Sequence, residues 1–456
     1  MKGRGSHNID FVKRNIIAIQ GVKKIMTTKI TKINQIAKEK PKEVFTSLYH
    51  LINKELLEEC FNELDGNKAT GIDNISKSEY LINKEENLEK LLIKLKNKSY
   101  KPSPARKVNI PKTNGKVREL AIANFEDKTV QLALKKIIEA IYEPKFTDNM
   151  FGFRPSRGCH DALRRITIDI EGHFTNYVVE ADIRGYFDNI NHDKLVASLK
   201  LHIKDPNIIK LVRKFLRAGI LEKGKFQIGE YGTPQGSILS PVLANIYMYY
   251  LLIMWFEDTI KREFKGFASI INYADDFICC FQNKNEAERF YKELLPNRLK
   301  SGGLELAEDK TRIIAFGRFA IKNCKEDKPK TFDFLGFTHY CSTGKNGKFR
   351  VKRKTSSKKF RKKLSEFNVW CKENRNLKLD TIMITFKKKL IGHYNYFGIT
   401  DNYYMIHKYE WNMYKTLFKW LNRRSQRKSY TWEEFLQMVK EYNIPKAHIC
   451  VNIYDK

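Results

Sequence analysis

Along most of the chain apolar residues recur every three to four positions, and in a few short stretches that spacing gives way to alternation or to compact apolar runs. Helical spacing runs through residues 30–65, where Ile33, Ile36, Val44, Leu48, Leu51, Ile52, Leu56 and Leu57 fall between charged residues. A turn over KATGIDNIS (68–76) leads to a helix at 79–97 with an apolar face of Leu88, Leu91, Leu92 and Leu95, stopped by Lys-Pro-Ser-Pro at 101–104. The character then changes: ARKVNIP, a KTNGK turn containing Asn114-Gly115, and VRELAI carry the signature of a hairpin. Helices are predicted near 126–143, 160–171, 192–200, 207–219, 241–261 and 284–300. Between and after them lie the strand candidates YVVEADI (177–183), FASIINYADDFICCF (267–281), TRIIAFG, FDFLGF and GKFRVKRK. The 267–281 stretch reads as strand, two-residue tip and returning strand, with Asp275 and Asp276 at the tip. The pattern as a whole predicts an α+β core completed near residue 350.

Composition supports folding and points to a partner. With 456 residues, 42% hydrophobic and 12% aromatic, the chain can bury the cores of two to four domains. Its 85 Lys+Arg against 52 Asp+Glu leave 85 − 52 = +33, a surplus that repels itself unless a polyanion neutralises it. Nucleic acid is the leading partner and an anionic membrane face the weaker one; the plain alternative is solubility, or the codon usage of an AT-rich genome. The 8 Cys, at 60, 159, 279, 280, 324, 341, 371 and 450, form no CxxC pair and read as reduced thiols of an intracellular protein rather than metal ligands. There is no apolar run of 18 residues and the stretch MKGRGSHNIDFVKR lacks an apolar h-region, so secretion and membrane spanning are not expected; Met26 is an alternative start. From Lys345 to Lys389 there are 17 Lys or Arg and 3 acids, with Phe360, Leu364, Phe367 and Trp370 as buried-face candidates, which predicts a basic helical domain. Residues 411–456 add Trp411, Trp420, Trp432 and the run RRSQRKS at 423–429.

In so basic a chain, acids that follow apolar strands stand out. Asp182 follows YVVEA and Asp275-Asp276 follow SIINYA, so two strand ends present carboxylates toward a shared point. Phosphoryl transfer by two divalent ions about 3.5–4 Å apart uses such acids, and Mg²⁺ suits their hard oxygens. An Asp-Asp pair alone is more simply a solvated hairpin tip; with Asp182 and the phosphate-binding features below, the catalytic reading is preferred. Glu180 is expected on the opposite strand face, in a structural role. The loop GTPQGSILSP (232–241) precedes a helix and offers Gln235 as a wall for a base pair. Lys112 and Arg118 lie on opposite arms of the hairpin, where they reach a triphosphate or stay solvated. Lys310 reaches a leaving pyrophosphate or is a surface lysine, and Phe187 covers a sugar face or joins the core.

These stretches, in order, resemble the bacterial group II intron-encoded reverse transcriptase/maturase family. The likeness rests on VNIPKTNGKVRELAI, the span from Asp127 through FGFRPSRGCHDAL, VVEADIRGYFDNINHDKL, GTPQGSILSPVLANIY, YADDF, LAEDKT and FDFLGF, and runs from about residue 68 to 440. The resemblance implies a right-hand polymerase: an N-terminal extension and helical lead-in (1–80), fingers and palm (81–345), a thumb/maturase domain (346–410) that includes LIGHYNYFGI, and a DNA-binding region (411–456). It implies Asp182, Asp275 and Asp276 as the metal-binding triad for two Mg²⁺, with Asp276 the less constant ligand. Lys112 and Arg118 would grip the dNTP triphosphate, Phe187 select deoxynucleotides, Gln235 line the pocket and Lys310 approach the phosphates. Implied partners are group II intron RNA, an RNA template with its DNA primer, and target DNA, with no membrane, in the cytoplasm and at the nucleoid of a bacterium, as monomer or homodimer. The C-terminal region lacks the Cys-pair and His arrangement of an HNH endonuclease, so an endonuclease-lacking member is expected, and the first 25 residues match no family motif. Two other readings stay open: a domesticated polymerase in defence or another cellular role, and an RNA-binding splicing factor without polymerase activity.

Overall fold

The computed structural model describes residues 29–111, 117–222, 225–227, 231–320, 329–344, 346–425 and 429–455. Among them eleven strands occur: β1 (Ala105–Pro111), β2 (Val117–Ile122), β3 (Tyr177–Ala181), β4 (Ile220–Glu222), β5 (Lys225–Gln227), β6 (Ala268–Tyr273), β7 (Asp276–Phe281), β8 (Arg312–Ala315), β9 (Phe332–Phe334), β10 (Phe337–Thr343) and β11 (Phe349–Thr355). Helices intervene throughout, so the mixed α/β character expected from the pattern is observed. The chain divides into two units, one of Met1–Arg157, Ile183–Thr259 and Leu294–Ala307, the other of Gly158–Asp182, Ile260–Glu293 and Glu308–Lys456.

The first unit is helical around a four-stranded sheet of order β2-β1-β4-β5. The helical spacing of 30–65 is realised only at its ends, as a helix over 29–39 and another at Lys54–Glu63. Between them the backbone is drawn off: the Asp205 carboxylate accepts from Leu48 N at 2.7 Å and Tyr49 N at 2.8 Å, and Phe45 bridges Ile203. Asn53 then starts the next helix by accepting from Leu56 N at 3.0 Å. The predicted 79–97 helix is two, Lys77–Ile82 with a Ser76/Glu79 capping box and Lys84–Lys96, whose Leu88, Leu91, Leu92 and Leu95 are buried as the spacing requires. Helix Phe125–Tyr142 runs through the core, with Val130, Leu134, Ile137, Ile138 and Ile141 fully buried. Phe61, Tyr80 and Phe125 close one end, their ring centroids 5.4–5.9 Å apart.

The second unit holds an antiparallel sheet of order β6-β7-β3-β8 and a three-stranded sheet β11-β10-β9. Alternation predicts one polar face, yet Ile270, Ile271, Phe277, Ile278, Cys279, Cys280 and Phe281 of the β6–β7 hairpin are all buried, as befits strands covered on both sides. Helices Ser357–Asn374, Leu379–Phe397, Tyr403–Leu421 and Trp432–Glu441 follow. In the first of these, capped by Ser356, Phe367 is buried while Phe360, Leu364 and Trp370 are half-buried. The seven described cysteines are free thiols, and no helix of the described residues is long and apolar enough to cross a membrane.

Candidate active site

The acids are placed by strand register. β3 pairs with β7 so that Ala181 faces Phe277, and one step further sets Asp182 opposite Asp276. A one-residue slip would exchange the two faces and misplace the buried Val178, Val179, Cys279 and Cys280, so packing on both sides holds this pairing. The turn of the hairpin sits one residue earlier than the sequence suggests. Tyr273 pairs with Asp276, so the two turn residues are Ala274 and Asp275, and Asp276 is the first residue of the returning strand. The cause is Asn272, fully buried, whose side-chain amide donates to the Ala274 carbonyl at 2.7 Å, while Ala274 takes the left-handed conformation at φ +60°. Asp275 and Asp276, adjacent in sequence, therefore stand on a turn and on a strand respectively.

Three carboxylates so placed repel one another. The Asp276 carboxyl is pushed up to about 6, by the protein crowding it, then by Asp275 and Asp182, against the pull of Lys310 and Lys359. Because the residue keeps an exposed edge, the neighbouring negative charges are the cause to weigh most. Lys310, in a short helical turn at Glu308–Lys310, donates to Asp182 Oδ2, and that bond and charge hold its ammonium above the usual lysine value. Glu180 pairs with Arg312 at 2.8 Å, and period-two alternation places it on the same strand face as Asp182 rather than the opposite one.

Among the described residues no group of three or more His, Cys, Asp or Glu side chains is gathered closely enough to hold a metal ion. The donor chemistry nevertheless fits a hard divalent cation: carboxylates only, from adjoining strand ends, with a proton on Asp276 favoured by repulsion and the Lys310 ammonium now at Asp182.

In the first unit the loop 231–240 is built by backbone bonds. Gly232 N donates to Ile190 O at 2.8 Å, Thr233 N to Phe187 O at 2.7 Å and Ala121 N to Gln235 O at 2.7 Å. Gln131 Oε1 accepts from Ser237 Oγ at 3.1 Å and Ile238 N at 3.0 Å, and His192 Nε2 donates to Gly232 O at 2.7 Å. Gly232 is obligatory, since at φ +88° a Cβ would lie 2.8 Å from the Asp188 carbonyl. The result aims Gln235 at Asp188, its amide donating at 3.1 Å, on the wall of a cleft of about 210 Å³ also lined by Lys107, Glu119, Tyr231 and Pro234. Phe187 is half-buried against Tyr186 and Phe153, at 5.5 and 6.3 Å.

The structure thus groups Asp182, Asp275, Asp276 and Lys310 in the second unit, and Phe187 and Gln235 in the first. Arg118 lies on β2 opposite Ile110, its side chain outside the described residues, as is Lys112 altogether. Residues that the sequence reading passed over are Asn272, Asp188, Gln131 and His192. Asp188 and His192 stand inside GYFDNINHDKL, so the motif held the signal; Asn272 and Gln131 act only through contacts distant in sequence or hidden in a strand.

Residues 110–339 match the family model for reverse transcriptase (RNA-dependent DNA polymerase). Group II intron-encoded protein LtrA of Lactococcus lactis subsp. cremoris is 41% identical over 224 residues, 49% of this chain and 37% of that protein. A 91 kDa protein in the cob intron of Schizosaccharomyces pombe is 36% identical over 247 residues, 54% of this chain and 30% of that one. Protein YkfC of Escherichia coli is 31% identical over 280 residues, 54% of this chain and 73% of its own length. The matched stretch therefore spans about a third of the first two relatives and nearly three quarters of the third.

Proposed function

Since the chain belongs to the reverse transcriptase (RNA-dependent DNA polymerase) family, we propose that it copies an RNA template into DNA and binds a group II intron RNA to assist its splicing and target-primed mobility. The observation that carries the polymerase reading is the convergence of Asp182, Asp275 and Asp276 with Lys310 at adjoining strand ends.

The primer 3′-hydroxyl oxygen bonds to the α-phosphorus of a bound dNTP, the bond from that phosphorus to the bridging oxygen breaks, and pyrophosphate leaves as the hydroxyl proton is lost. Asp182 and Asp275 would hold two Mg²⁺, with Asp276 beside them, and the ions when bound supply charge neutralisation and a more acidic 3′-hydroxyl. Repulsion within the triad favours uptake of positive charge there, and Lys310, bonded to Asp182 in the free protein, is free to turn to the phosphates once that charge is met otherwise. Phe187 would close the sugar face against a 2′-hydroxyl, and Gln235, oriented by Asp188, would line the nucleotide pocket. Lys112 and Arg118 would hold the triphosphate. The helices of 346–410 would serve as thumb and maturase domain, 411–456 as a DNA-binding region, and 1–80 as an extension on template RNA. Their excess of lysine and arginine supports tight, salt-sensitive binding with little base readout. The intron RNA would be recognised by shape and phosphate spacing, while its own chemistry performs splicing. The setting proposed is a bacterial cytoplasm and nucleoid.

Primer extension tests the first half. The full chain with Mg²⁺ and dNTPs should extend a DNA primer annealed to RNA, and Asp275→Ala should abolish it; extension absent from both, or unchanged by the substitution, sinks the proposal. Sequencing of RNA that co-purifies tests the second half, where a structured intron is expected.

A further inference from the structure

The helix Tyr403–Leu421 divides into two faces. Inward it buries Ile406, Tyr409, Met413, Leu417 and Leu421. Outward it leaves Tyr404 71% and Trp411 44% exposed, with exposed Lys408 and Lys415 interleaved. Positions 404, 408, 411 and 415 step by four, three and four, so the four side chains form one line along the helix. The single acid of this helix, Glu410, is buried and accepts from Tyr414 at 3.2 Å, so the outward line carries positive charge only.

The line is also organised. Lys408 Nζ stands 6.0 Å from the Tyr404 ring centroid and Lys415 Nζ 5.2 Å from that of Trp411. Trp432 packs edge-on against Trp411 at 5.4 Å and is itself held by Phe418 at 5.0 Å, which fixes the indole plane. Large rings left in water are costly unless something covers them. Seven residues at 1.5 Å each put the two rings about 10 Å apart along the axis, the length of roughly three stacked base steps. Flat rings alternating with ammonium groups match a chain that alternates flat bases with phosphates. A duplex hides its base faces, an acidic protein needs the lysines but not the rings, and a second copy of this chain brings the same charge.

We propose that the outward face of this helix is a stacking platform for single-stranded nucleic acid, with bases on Tyr404 and Trp411 and phosphates on Lys408 and Lys415. The proposal rests on the polymerase reading only in favouring nucleic acid as the polyanion, and it names the strand state that reading leaves open.

Fluorescence anisotropy of the full chain with labelled single-stranded RNA, single-stranded DNA and the matching duplex tests it. Tyr404→Ala and Trp411→Ala should each weaken single-strand binding about tenfold and duplex binding less than about twofold. Trp411→Phe should restore most of the affinity, and the pair Lys408→Gln, Lys415→Gln should flatten the salt dependence. The tighter of the RNA and DNA arms identifies the strand. Equal losses on duplex, no loss at all, full competition by polyglutamate, or a change in oligomeric state without change in nucleic-acid binding overturns the proposal. Primer extension on a primer–template with a template overhang of only a few nucleotides, run beside it with the wild-type chain, reports on the polymerase alone, so the two readings fail separately.

Discussion

Replacing Asp127 by Asn should change how stability depends on pH, and the size of the effect follows from its surroundings. Asp127 lies in helix Phe125–Tyr142 at 4% exposure, where it accepts from the Tyr100 hydroxyl and from Ser103 N at 3.1 Å. Burial pushes its carboxyl from 3.8 up to about 6, against those two hydrogen bonds and with help from Glu126 and Asp73. Below the unfolded value both states hold the proton and the group contributes nothing to the pH dependence. Between the two values the folded state keeps a proton that the unfolded state has lost, so stability falls as pH rises, and above about 6 the penalty is complete. A rise of roughly two pH units corresponds to about 3 kcal/mol. Asn cannot ionise, so Asp127→Asn removes that slope. It also has one oxygen for two donors, so either Tyr100 or Ser103 N loses its acceptor at a cost of roughly 1–3 kcal/mol, independent of pH. Urea unfolding of both proteins at about pH 4, 5, 6 and 7 should therefore show the variant less stable at the acid end and gaining about 3 kcal/mol on the wild type by neutrality. Parallel curves would refute the reasoning, since they would mean the Asp127 carboxyl ionises alike in both states.

Three further outcomes follow from particular contacts. Ala274→Val should cost roughly 1–3 kcal/mol and Ala274→Gly nothing, measured as urea midpoints, because the turn beside Asp275 needs φ +60° and a β-branched residue resists it. Gly232→Ala should raise the apparent KM for dNTP more than it lowers kcat in primer extension, since the new methyl meets the Asp188 carbonyl and displaces Gln235 from its partner. Phe61→Ala should destabilise by about 3–5 kcal/mol, seen as a lowered thermal midpoint, because the ring is buried against Tyr80 and Phe125 and its removal leaves a cavity.

Much of this protein is local and was readable as such. The hairpin arms at 105–111 and 117–122, the helix carrying Leu88, Leu91, Leu92 and Leu95, and the strands that end in Asp182 and precede Asp275 and Asp276 all follow from spacing and turn chemistry, which act within a few residues. The strong positive charge is likewise a property of the sequence and needs no fold to make a polyanion the expected counterpart.

Tertiary structure decided whatever depends on a distant group claiming a backbone or a charge. Asp205 takes the amides of Leu48 and Tyr49 and so breaks a helix that the spacing alone would continue. Asn272, buried in its strand, reaches the Ala274 carbonyl and moves the turn by one residue, which separates the roles of Asp275 and Asp276. Lys310 is 128 residues from Asp182, and only the pairing of β3 with β8 brings the two together. Periodicity encodes which side of an element is apolar, but the partner that covers it, and the charge that a carboxylate meets, are set by packing between segments far apart along the chain.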